Sequence, residues 1–454
     1  MTISSGDPQS LEIAALGRPT RVRYQVLALA VVMAVLLYLD RMAISVALPA
    51  ISRDLNLDLG QAADSVAAFF WCYALCQIPA GWLGDRWGSR RALVLYVVAW
   101  SAAMAGIAMA AGLVSLIAMR ALLGIGQAGA YATAASMLRR WIPFTWRGLA
   151  NSAVSLGGRA GGVLAPITTS ILMRALAGRG SNEQSWRTVF LGYAGLGLVW
   201  AMVFWRTARD RPSQHPRANA AERAMVLEGE NEALAEPRGA IPIGALARSR
   251  GVQLLAIENF AVNVGWIFIG TLLPTYLITV HGRSEIEAGS AASMTAAAGM
   301  AGCLAGGLAT DWLVKRAGLV WGRRVPGVLC CGGAAIIYAV CYGLHDPTAI
   351  VWALVLASFF GDFALGAMWA TCQDIGRAYS GTVLGAANMF GNIGAACAAS
   401  LIARLAANFG WSSTFLLSAC AYSVGAISWA LIDPRVPIAT AHNEAESTPP
   451  SKAD

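Results

Sequence analysis

Stretches of about 20 mostly apolar residues recur along this chain, separated by short segments that carry most of the charges. An α-helix needs about 20 such residues to cross the hydrocarbon core of a bilayer. With 57% hydrophobic and 13% charged residues, the composition argues against a soluble globular protein. The pattern predicts an all-α membrane protein with twelve transmembrane helices. We name them spans 1 to 12: 24–49, 62–84, 91–111, 113–137, 148–173, 187–206, 252–279, 289–313, 326–344, 348–372, 381–406 and 412–432.

Lys and Arg residues are concentrated on one side of the spans. If the N-terminus is cytoplasmic, the segments on that side hold 24 of these residues, the opposite side holds 6, and three lie within spans. Positively charged loops are retained in the cytoplasm during insertion. We therefore predict a multi-pass protein of the cytoplasmic (inner) membrane with both termini in the cytoplasm. The net charge of +8 follows from this bias and from attraction to membrane lipid, and does not indicate nucleic-acid binding.

A polar segment divides the spans into two groups of six. We predict an N-terminal half at 1–206, a cytoplasmic linker at 207–250, a C-terminal half at 251–436 and a disordered cytoplasmic tail at 437–454. The linker could contain a short surface helix from Glu222 to Glu236. No removable signal peptide is expected, because the first 23 residues lack an apolar core with a cleavage site.

A short motif occurs at the end of span 2 and again at the end of span 8, its equivalent in the second half. The first copy reads Gly81-Trp-Leu-Gly-Asp85-Arg86-Trp-Gly88-Ser-Arg90, and the second reads Gly307-Leu-Ala-Thr-Asp311-Trp-Leu-Val-Lys315-Arg316. The first copy resembles the G-x-x-x-D-R-x-G-x-R loop of the major facilitator superfamily, whose fold has two six-helix halves. This repetition indicates an internal duplication.

The motif predicts a gate between the two halves. Gly81 permits close helix packing, and Asp85 can face the positive N-terminus of span 11 near Ser380. Arg86 and Arg90 can add ion pairs, and Asp311 is the second-half equivalent of Asp85. Such contacts would close the cytoplasmic side and break when the halves rock. The alternative is that these arginines only fix the topology.

Charged residues inside spans are functional candidates, because each costs about 2.5–3.5 kcal/mol at a helix centre. The chain has five: Asp40, Arg41, Arg120, Arg159 and Asp362. Counting residues from the outer ends of their spans places Arg41 and Arg120 at one depth, roughly 10–12 Å below the outer surface. A guanidinium group can hold a carboxylate with two parallel hydrogen bonds. The alternative is that Arg41 pairs with Asp40 and that Arg120 extends toward the outer surface.

The roles of Arg159 and Asp362 each have two interpretations. Four glycines flank Arg159 and leave room for its side chain to reach the cavity, where it could be a third cation for the substrate. Alternatively it is the ion-pair partner of an Asp such as Asp362. Asp362 lies mid-way along span 10 and is a candidate for proton coupling, or it is a neutral packing residue.

Two pairs of asparagines supply amides for hydroxyl groups of a substrate. Asn259 and Asn263 share one face of span 7 with Trp266, and Asn388 and Asn392 share a face of span 11. As an alternative, Asn side chains in membrane helices commonly form hydrogen bonds between neighbouring helices. We expect Glu258 to be interfacial, and Tyr131 and the other Trp residues to be packing or interface anchors.

Several motifs together resemble the anion:cation symporter family, which includes bacterial sugar-acid transporters and animal vesicular glutamate and sialic-acid transporters. They are Tyr38-Leu-Asp40-Arg41, Tyr73-Ala-Leu-Cys-Gln77-Ile-Pro79-Ala-Gly81, Arg120-Ala-Leu-Leu-Gly-Ile-Gly126-Gln127-Ala-Gly129-Ala-Tyr131 and Asn388-Met-Phe-Gly-Asn392. The resemblance implies that Arg41 and Arg120 bind the anion and that Tyr73 and the span 11 amides line the cavity. It also implies that Asp40 takes part in proton coupling.

The chain departs from that family at one position. The family usually has Glu seven residues after the span 4 arginine, and this chain has Gln127. Gln127 lies two turns from Arg120, on the same face and about 10 Å deeper. It can hydrogen-bond a substrate but cannot titrate, so coupling would rest on Asp40 or Asp362, or be absent.

These features predict a secondary active transporter of a small organic anion, with the proton as the coupling ion. A proton-independent uniporter or exchanger, an exporter, and a membrane sensor that does not transport are the alternatives. We expect no enzymatic activity, cofactor or metal, because all four His lie outside spans and no phosphate-binding loop is present. One chain suffices to form a transport pathway, so we expect a monomer.

Overall fold

The computed structural model describes residues 18–177, 185–227 and 243–438. Nine helical segments in these ranges are long and apolar enough to cross a membrane. Two of them, Ile286–Gly343 and Pro347–Ala398, each run through two predicted spans. The more polar helix Arg147–Ala177 is span 5. Each of the twelve predicted spans therefore has its helix in the described part of the chain.

The helices of the first half extend beyond the predicted spans because hydropathy marks only the part that lies in hydrocarbon. Span 4 is interrupted at Gly129 and consists of two helices. In chain order, the helices are Val22–Asp54, Leu59–Trp87, Ser89–Ala108, Leu113–Ala128 with Ala130–Trp141, Arg147–Ala177 and Ser185–Thr207.

Span 7 of the second half contains a π-helical turn, and span 10 is interrupted at Ala364, as its equivalent span 4 is at Gly129. The helices are Arg250–Ile267 with Phe268–Leu272 and Leu273–His281, then Glu285–Gly343, Pro347–Phe363 with Leu365–Gly376, Ser380–Phe409 and Ser412–Leu431. Helical turns extend spans 8 and 9 toward each other, and Gly318, with φ 81° and ψ 177°, breaks the helix between them. The predicted loop at 314–325 is therefore mostly helical.

Part of the linker forms short helices, Ala220–Leu227 and Ile243–Arg248. The first begins two residues before the predicted surface helix and covers its start, and the remainder of the predicted helix lies outside the described residues. Its Glu222 is buried and forms a 3.1 Å ion pair with Arg23 at the start of span 1. The predicted tail from 439 onward and Arg179, placed in an outer loop, also lie outside the described residues.

The two halves meet along a few helices. Span 2 packs against span 11, span 5 packs against span 8, and the second segments of spans 4 and 10 pack against spans 11 and 5. Within the halves, span 1 packs on span 5 and span 7 on spans 11 and 12. This arrangement leaves a polar cavity between the halves.

Candidate functional site

The cavity has a volume of about 330 Å³ and receives side chains from both halves. Its lining includes eight predicted site residues: Arg41, Tyr73, Arg159, Asn259, Asn263, Asp362, Asn388 and Asn392. The predicted residues Asp40, Arg120 and Gln127 are not among its lining residues. Small-molecule sites typically occupy roughly 300–1,000 Å³. The cavity thus has room for a small ligand.

Arg41 is buried among aromatic rings on the first-half side of the cavity. Its guanidinium carbon lies 4.3 Å from the ring centroid of Tyr73, 5.0 Å from that of Tyr38 and 5.1 Å from that of Phe69. The Nε atom donates a 3.3 Å hydrogen bond to Oε1 of Gln127, while Nη2 has no hydrogen-bond partner. No carboxylate of the described residues forms an ion pair with Arg41, so the predicted alternative pairing with Asp40 is absent here.

Arg120 lies close to Arg41 but behind Phe69. Its guanidinium carbon is 4.9 Å from the centroid of that ring, and its Nε atom donates to the carbonyl oxygen of Ser65 at 3.3 Å. The side chain is buried rather than extended to the outer surface, and its Nη1 atom lacks a partner. The two guanidinium groups thus lie near one aromatic ring, that of Phe69.

Gln127 positions Arg41 rather than lining the cavity. Its side chain is fully buried, accepts the hydrogen bond from Arg41 and donates from Nε2 to the carbonyl oxygen of Leu37 at 3.1 Å. Asp40 is also buried, beside Trp100 of span 3, and neither carboxylate oxygen has a hydrogen-bond partner in the described part of the chain. Asp40 and Arg41 are adjacent in sequence, but only Arg41 reaches the cavity.

Arg159 and Asp362 form an ion pair between the two halves, with 2.5 Å between Nη2 and Oδ1. The Asp362 side chain is 8% exposed and that of Arg159 is 25% exposed, so the pair borders the cavity. The sequence left this pairing as one of two interpretations for Arg159. The flanking Gly157 and Gly161 serve mainly close packing, because a Cβ there would meet the span 1 backbone.

The amide ladders lie on the second-half side of the cavity. Asn263 donates from Nδ2 to the carbonyl oxygen of Asn259 at 2.8 Å, and Asn392 does the same to Asn388. These bonds hold the side chains of Asn263 and Asn392 against their own helices. They do not bond helix to helix, so the polar groups face the cavity as the spacing predicted.

Three lining residues were given other roles from the sequence. Glu258, expected at the interface, is only 4% exposed and lines the cavity. Tyr131 and Trp369, taken as packing or anchor residues, also line it, and their rings meet across the halves with centroids 5.0 Å apart. Both rings follow the interruptions in spans 4 and 10, a signal that hydropathy alone does not give.

Asp85 links the halves at one end of the molecule. Its carboxylate accepts hydrogen bonds from the backbone N–H groups of Gly381 and Thr382, at 3.1 and 2.7 Å, and from the Thr382 hydroxyl at 2.7 Å. These N–H groups belong to the first turn of span 11, where no intrahelical partner exists. Gly81 lies against the Gly381 carbonyl with no room for a side chain. The predicted contact with the start of span 11 is present.

Asp311 makes the equivalent contact in the second half. Its oxygens accept from the backbone N–H groups of Gly148 and Leu149, both at 2.9 Å, at the start of span 5. Gly307 lies against the Gly148 carbonyl, as Gly81 lies against that of Gly381. We call the end of the molecule with these two contacts the closed end.

Arg86 and Arg90 do not add the expected ion pairs between the halves. Arg86 lies over the Trp82 ring of its own helix, at 5.2 Å. The Arg90 guanidinium group donates to the Trp205 carbonyl oxygen and stacks on the Trp205 ring at 4.0 Å. Both arginines therefore contact the first half in the described structure.

Comparisons with known proteins agree with this architecture. Residues 30–399 match the model of the Major Facilitator Superfamily, and the chain belongs to this family of membrane transporters. It is a transporter rather than an enzyme. The family resemblance drawn from the sequence motifs and the predicted fold are thereby confirmed.

Curated relatives and solved structures share most of the chain. The hexuronate transporter of Bacillus subtilis is 30% identical over 74% of this chain and 77% of its own length. The D-galactonate transporter of Escherichia coli O6:H1 is 27% identical over 91% of this chain and 96% of its own. The E. coli fucose:proton symporter structure has a TM-score of 0.68 at 14% identity, covering 91% of this chain and 100% of that chain. The structural likeness extends to the fold alone.

Proposed function

We propose that this protein is a secondary active transporter of a small organic anion, a sugar acid or another carboxylate, by proton symport. It works by alternating access in the cytoplasmic membrane, as a monomer with both termini in the cytoplasm. The D-galactonate and hexuronate transporters among its relatives support a sugar acid as the substrate class.

The observation that carries this proposal is a buried cation without a counter-ion at the wall of a cavity. Arg41 is 8% exposed, its Nε atom donates a hydrogen bond to the neutral Gln127, and the described residues supply no carboxylate to it. Leaving a buried charge uncompensated is costly, by several kcal/mol in real proteins. A carboxylate in the cavity would complete the pair, and a planar guanidinium group is well suited to bind it.

The remaining lining residues suit the hydroxylated body of such an acid. Asn259, Asn263, Asn388 and Asn392 present amides from the opposite half, and Tyr73 and Trp266 present rings against which carbon atoms can pack. Arg41 belongs to the first half and the amides to the second, so one substrate would contact both. This arrangement couples binding to the relative position of the halves.

Arg120 is the second proposed anion-binding residue, although Phe69 separates it from the cavity in this conformation. Both guanidinium groups lie about equally far from the Phe69 ring. A rotation of that ring would expose Arg120 to the substrate carboxylate. We therefore propose that Arg41 makes the first contact and that Arg120 joins it when the site closes.

The contacts at the closed end support a gate. Asp85 and Asp311 each join a helix end of one half to a helix start of the other, and Gly81 permits the close approach. With the N-terminus in the cytoplasm, this end is cytoplasmic and the conformation is closed to the cytoplasm. Transport requires both contacts to break.

A proton-independent uniporter or exchanger, or an exporter, is the second candidate, because Gln127 replaces a titratable residue. The carboxylates predicted from the sequence to couple protons are Asp362, which is bound to Arg159 at the cavity, and the buried Asp40. A proton gradient distinguishes the two candidates, since only a symporter accumulates its substrate against a concentration gradient when protons flow inward.

The test is uptake into liposomes that contain the purified protein. Labelled D-galactonate, D-glucuronate and D-glucarate are offered with and without an inwardly directed proton gradient. We expect saturable uptake of at least one acid, accumulation only with the gradient, and loss of uptake in Arg41→Ala. Arg53→Ala, which removes an exposed arginine from the same helix, is the matched control and should transport as the wild type does.

Each other result has a defined meaning. If uptake is the same with and without the proton gradient, the protein is a uniporter or an exchanger rather than a proton symporter. Binding without any flux would indicate a sensor. Normal uptake by a correctly inserted Arg41→Ala protein would refute the proposed anion site.

A further inference from the structure

Glu258 is the charged residue of the cavity that the proposed binding site does not use. It lies on span 7, is 4% exposed and lines the cavity on the side opposite Arg41. Its Oε1 atom accepts a 3.1 Å hydrogen bond from Trp429 Nε1, and its Oε2 atom accepts one of 3.1 Å from Asn259 Nδ2. Both donors are neutral. No Lys, Arg or His in the described ranges forms an ion pair with Glu258.

The elements packed against this part of span 7 offer no nearby cation. Span 12 contains no charged residue between Ser412 and Leu431, and the linker helix and span 7 carry their arginines at Arg248 and Arg250, two turns or more from Glu258. The groups that interact electrostatically with Glu258 are the buried thiols of Cys331 and Cys372. The neighbouring spans also carry the titratable or charged residues Tyr422 and Arg404. Two further carboxylates there are already in ion pairs: Asp362 with Arg159, and Asp374 with Arg323 and Arg147.

The charged residues that line the cavity comprise equal numbers of cations and anions. The described lining contains two cations and two anions: Arg41, Arg159, Glu258 and Asp362. Arg159 and Asp362 compensate each other, which leaves Arg41 in the first half and Glu258 in the second. When a monoanion binds Arg41, Glu258 remains as an uncompensated carboxylate in a closing, low-dielectric cavity, a state that costs several kcal/mol.

We propose that Glu258 carries the proton that accompanies the anion. This inference rests on the proposed anion transport and assigns its coupling group. A proton from the aqueous phase binds a carboxylate oxygen of Glu258, the cavity becomes neutral with substrate bound, and the same proton dissociates into the opposite aqueous phase after the halves rock.

The geometry favours Glu258 over the two aspartates predicted from the sequence. A proton on Asp362 would remove the counter-ion of Arg159 and leave that guanidinium group uncompensated. Asp40 is buried beside Trp100 and does not line the cavity, so it has no direct path for proton exchange with the substrate site. Glu258 can take up a proton without breaking an ion pair.

The assignment fixes the stoichiometry and the electrical behaviour. One proton moves with each monoanion, so transport is electroneutral and independent of membrane potential. A gradient of one pH unit corresponds to about 1.36 kcal/mol, which supports about tenfold accumulation at equilibrium. A second, transported proton would make the process electrogenic and would raise this limit.

Uptake measurements test the coupling. In liposomes with a one-unit pH gradient, the wild type should accumulate its acid about tenfold, whereas Glu258→Gln should reach only the external concentration while still exchanging labelled for unlabelled substrate. Glu258→Asp keeps a titratable group and should still accumulate. Glu287→Gln alters an exposed glutamate outside the cavity and is the matched control. Accumulation by Glu258→Gln equal to that of the wild type would overturn the inference.

An infrared titration tests proton binding without any substrate. In the carboxyl stretching band that grows as the pH falls, Glu258→Gln should remove a component at the frequency of a buried carboxyl group, whereas Glu287→Gln should remove only one typical of a solvent-exposed carboxyl group. Trp429→Phe removes a hydrogen bond to the carboxyl group, so the same component should change frequency. Titration spectra that Glu258→Gln leaves unchanged would overturn the inference.

The two arms separate failure of this inference from failure of the proposed function. If the wild type transports none of the acids, anion transport is refuted and the infrared titration still decides whether Glu258 binds a proton. If the wild type accumulates an acid and only Asp40→Asn or Asp362→Asn abolishes accumulation, Glu258 is not the coupling group and the proposed transport stands.

Discussion

Replacing Asp85 by Asn should loosen the closed end by a measurable amount. The carboxylate accepts three hydrogen bonds from span 11, two of them from N–H groups that have no other partner in their helix. Asn has nearly the same shape, but it has no charge and one acceptor oxygen instead of two. The substitution therefore removes at least one charge-assisted bond and the favourable interaction with the helix N-terminus.

The size of the effect follows from these contacts. A hydrogen bond to a charged group contributes about 1.5–3 kcal/mol, and Asp85 is only 4% exposed, so solvent screens it little. We expect a loss of about 2–3 kcal/mol in the contact between Asp85 and span 11. Because about 1.4 kcal/mol corresponds to a factor of ten, the open population should rise roughly 30- to 150-fold.

Hydrogen–deuterium exchange of the backbone amides measures this change in the open population directly. The Gly381 and Thr382 amides donate to Asp85, so peptides that cover them should exchange faster in Asp85→Asn by that factor. If the halves rock as rigid bodies, the amides of Gly148 and Leu149 should accelerate as well, although their own partner Asp311 is intact.

A matched control and a refuting result complete the design. Asp64→Asn makes the same chemical change at an exposed position of the same helix and should leave both sets of amides unchanged. If exchange at Gly381 and Thr382 stays within about threefold of the wild type in Asp85→Asn, the carboxylate does not hold the closed end, and the estimate from charged hydrogen bonds is wrong.

Three further changes have outcomes set by single contacts. Asp362→Asn leaves Arg159 without a counter-ion and should destabilise the protein by about 3–5 kcal/mol, as measured by thermal unfolding in detergent. Adding Arg159→Gln to this variant should restore part of the lost stability. Gln127→Glu supplies Arg41 with a carboxylate 3.3 Å away and should weaken anion binding at least about tenfold, measured as KM for uptake. Gly306→Ala places a Cβ against a span 10 carbonyl group and should lower stability by about 1–3 kcal/mol, in the same unfolding assay.

Much of the fold and the gate could be predicted because the signals are local. Apolar stretches of fixed length define the spans, and the repeated motif identifies Asp85 and Asp311 with their glycines. The contact of Asp85 with span 11 also follows from electrostatics, since a carboxylate at one helix end faces the positive start of another. The helical turns that flank Gly318 between spans 8 and 9 were missed, because hydropathy does not register polar residues that continue a helix beyond the hydrocarbon.

The site was less predictable, because the direction of a side chain depends on how helices pack. Counting residues gave Arg41 and Arg120 the same depth, but it could not show Phe69 lying near both groups. Glu258 lies eight residues into its helix, and a count from the first apolar residue placed it too near the membrane surface. Tyr131 and Trp369 line the cavity a few residues after the interruptions at Gly129 and Ala364, which the hydropathy pattern does not show.

The internal duplication explains why the gate is symmetric and the binding site is not. Asp85 with span 11 and Asp311 with span 5 make the same contact with exchanged halves, so we expect the two to break together in one rocking motion. In the cavity, by contrast, the cation Arg41 belongs to the first half and the carboxylate Glu258 to the second. In the proposed mechanism an anion and a proton bind opposite halves of one cavity, and we expect the halves to approach each other at lowest cost when both sites are filled or both are empty. Coupled transport requires that the protein change conformation only with both sites filled or both empty, and this condition can be met without contact between the proton and the substrate.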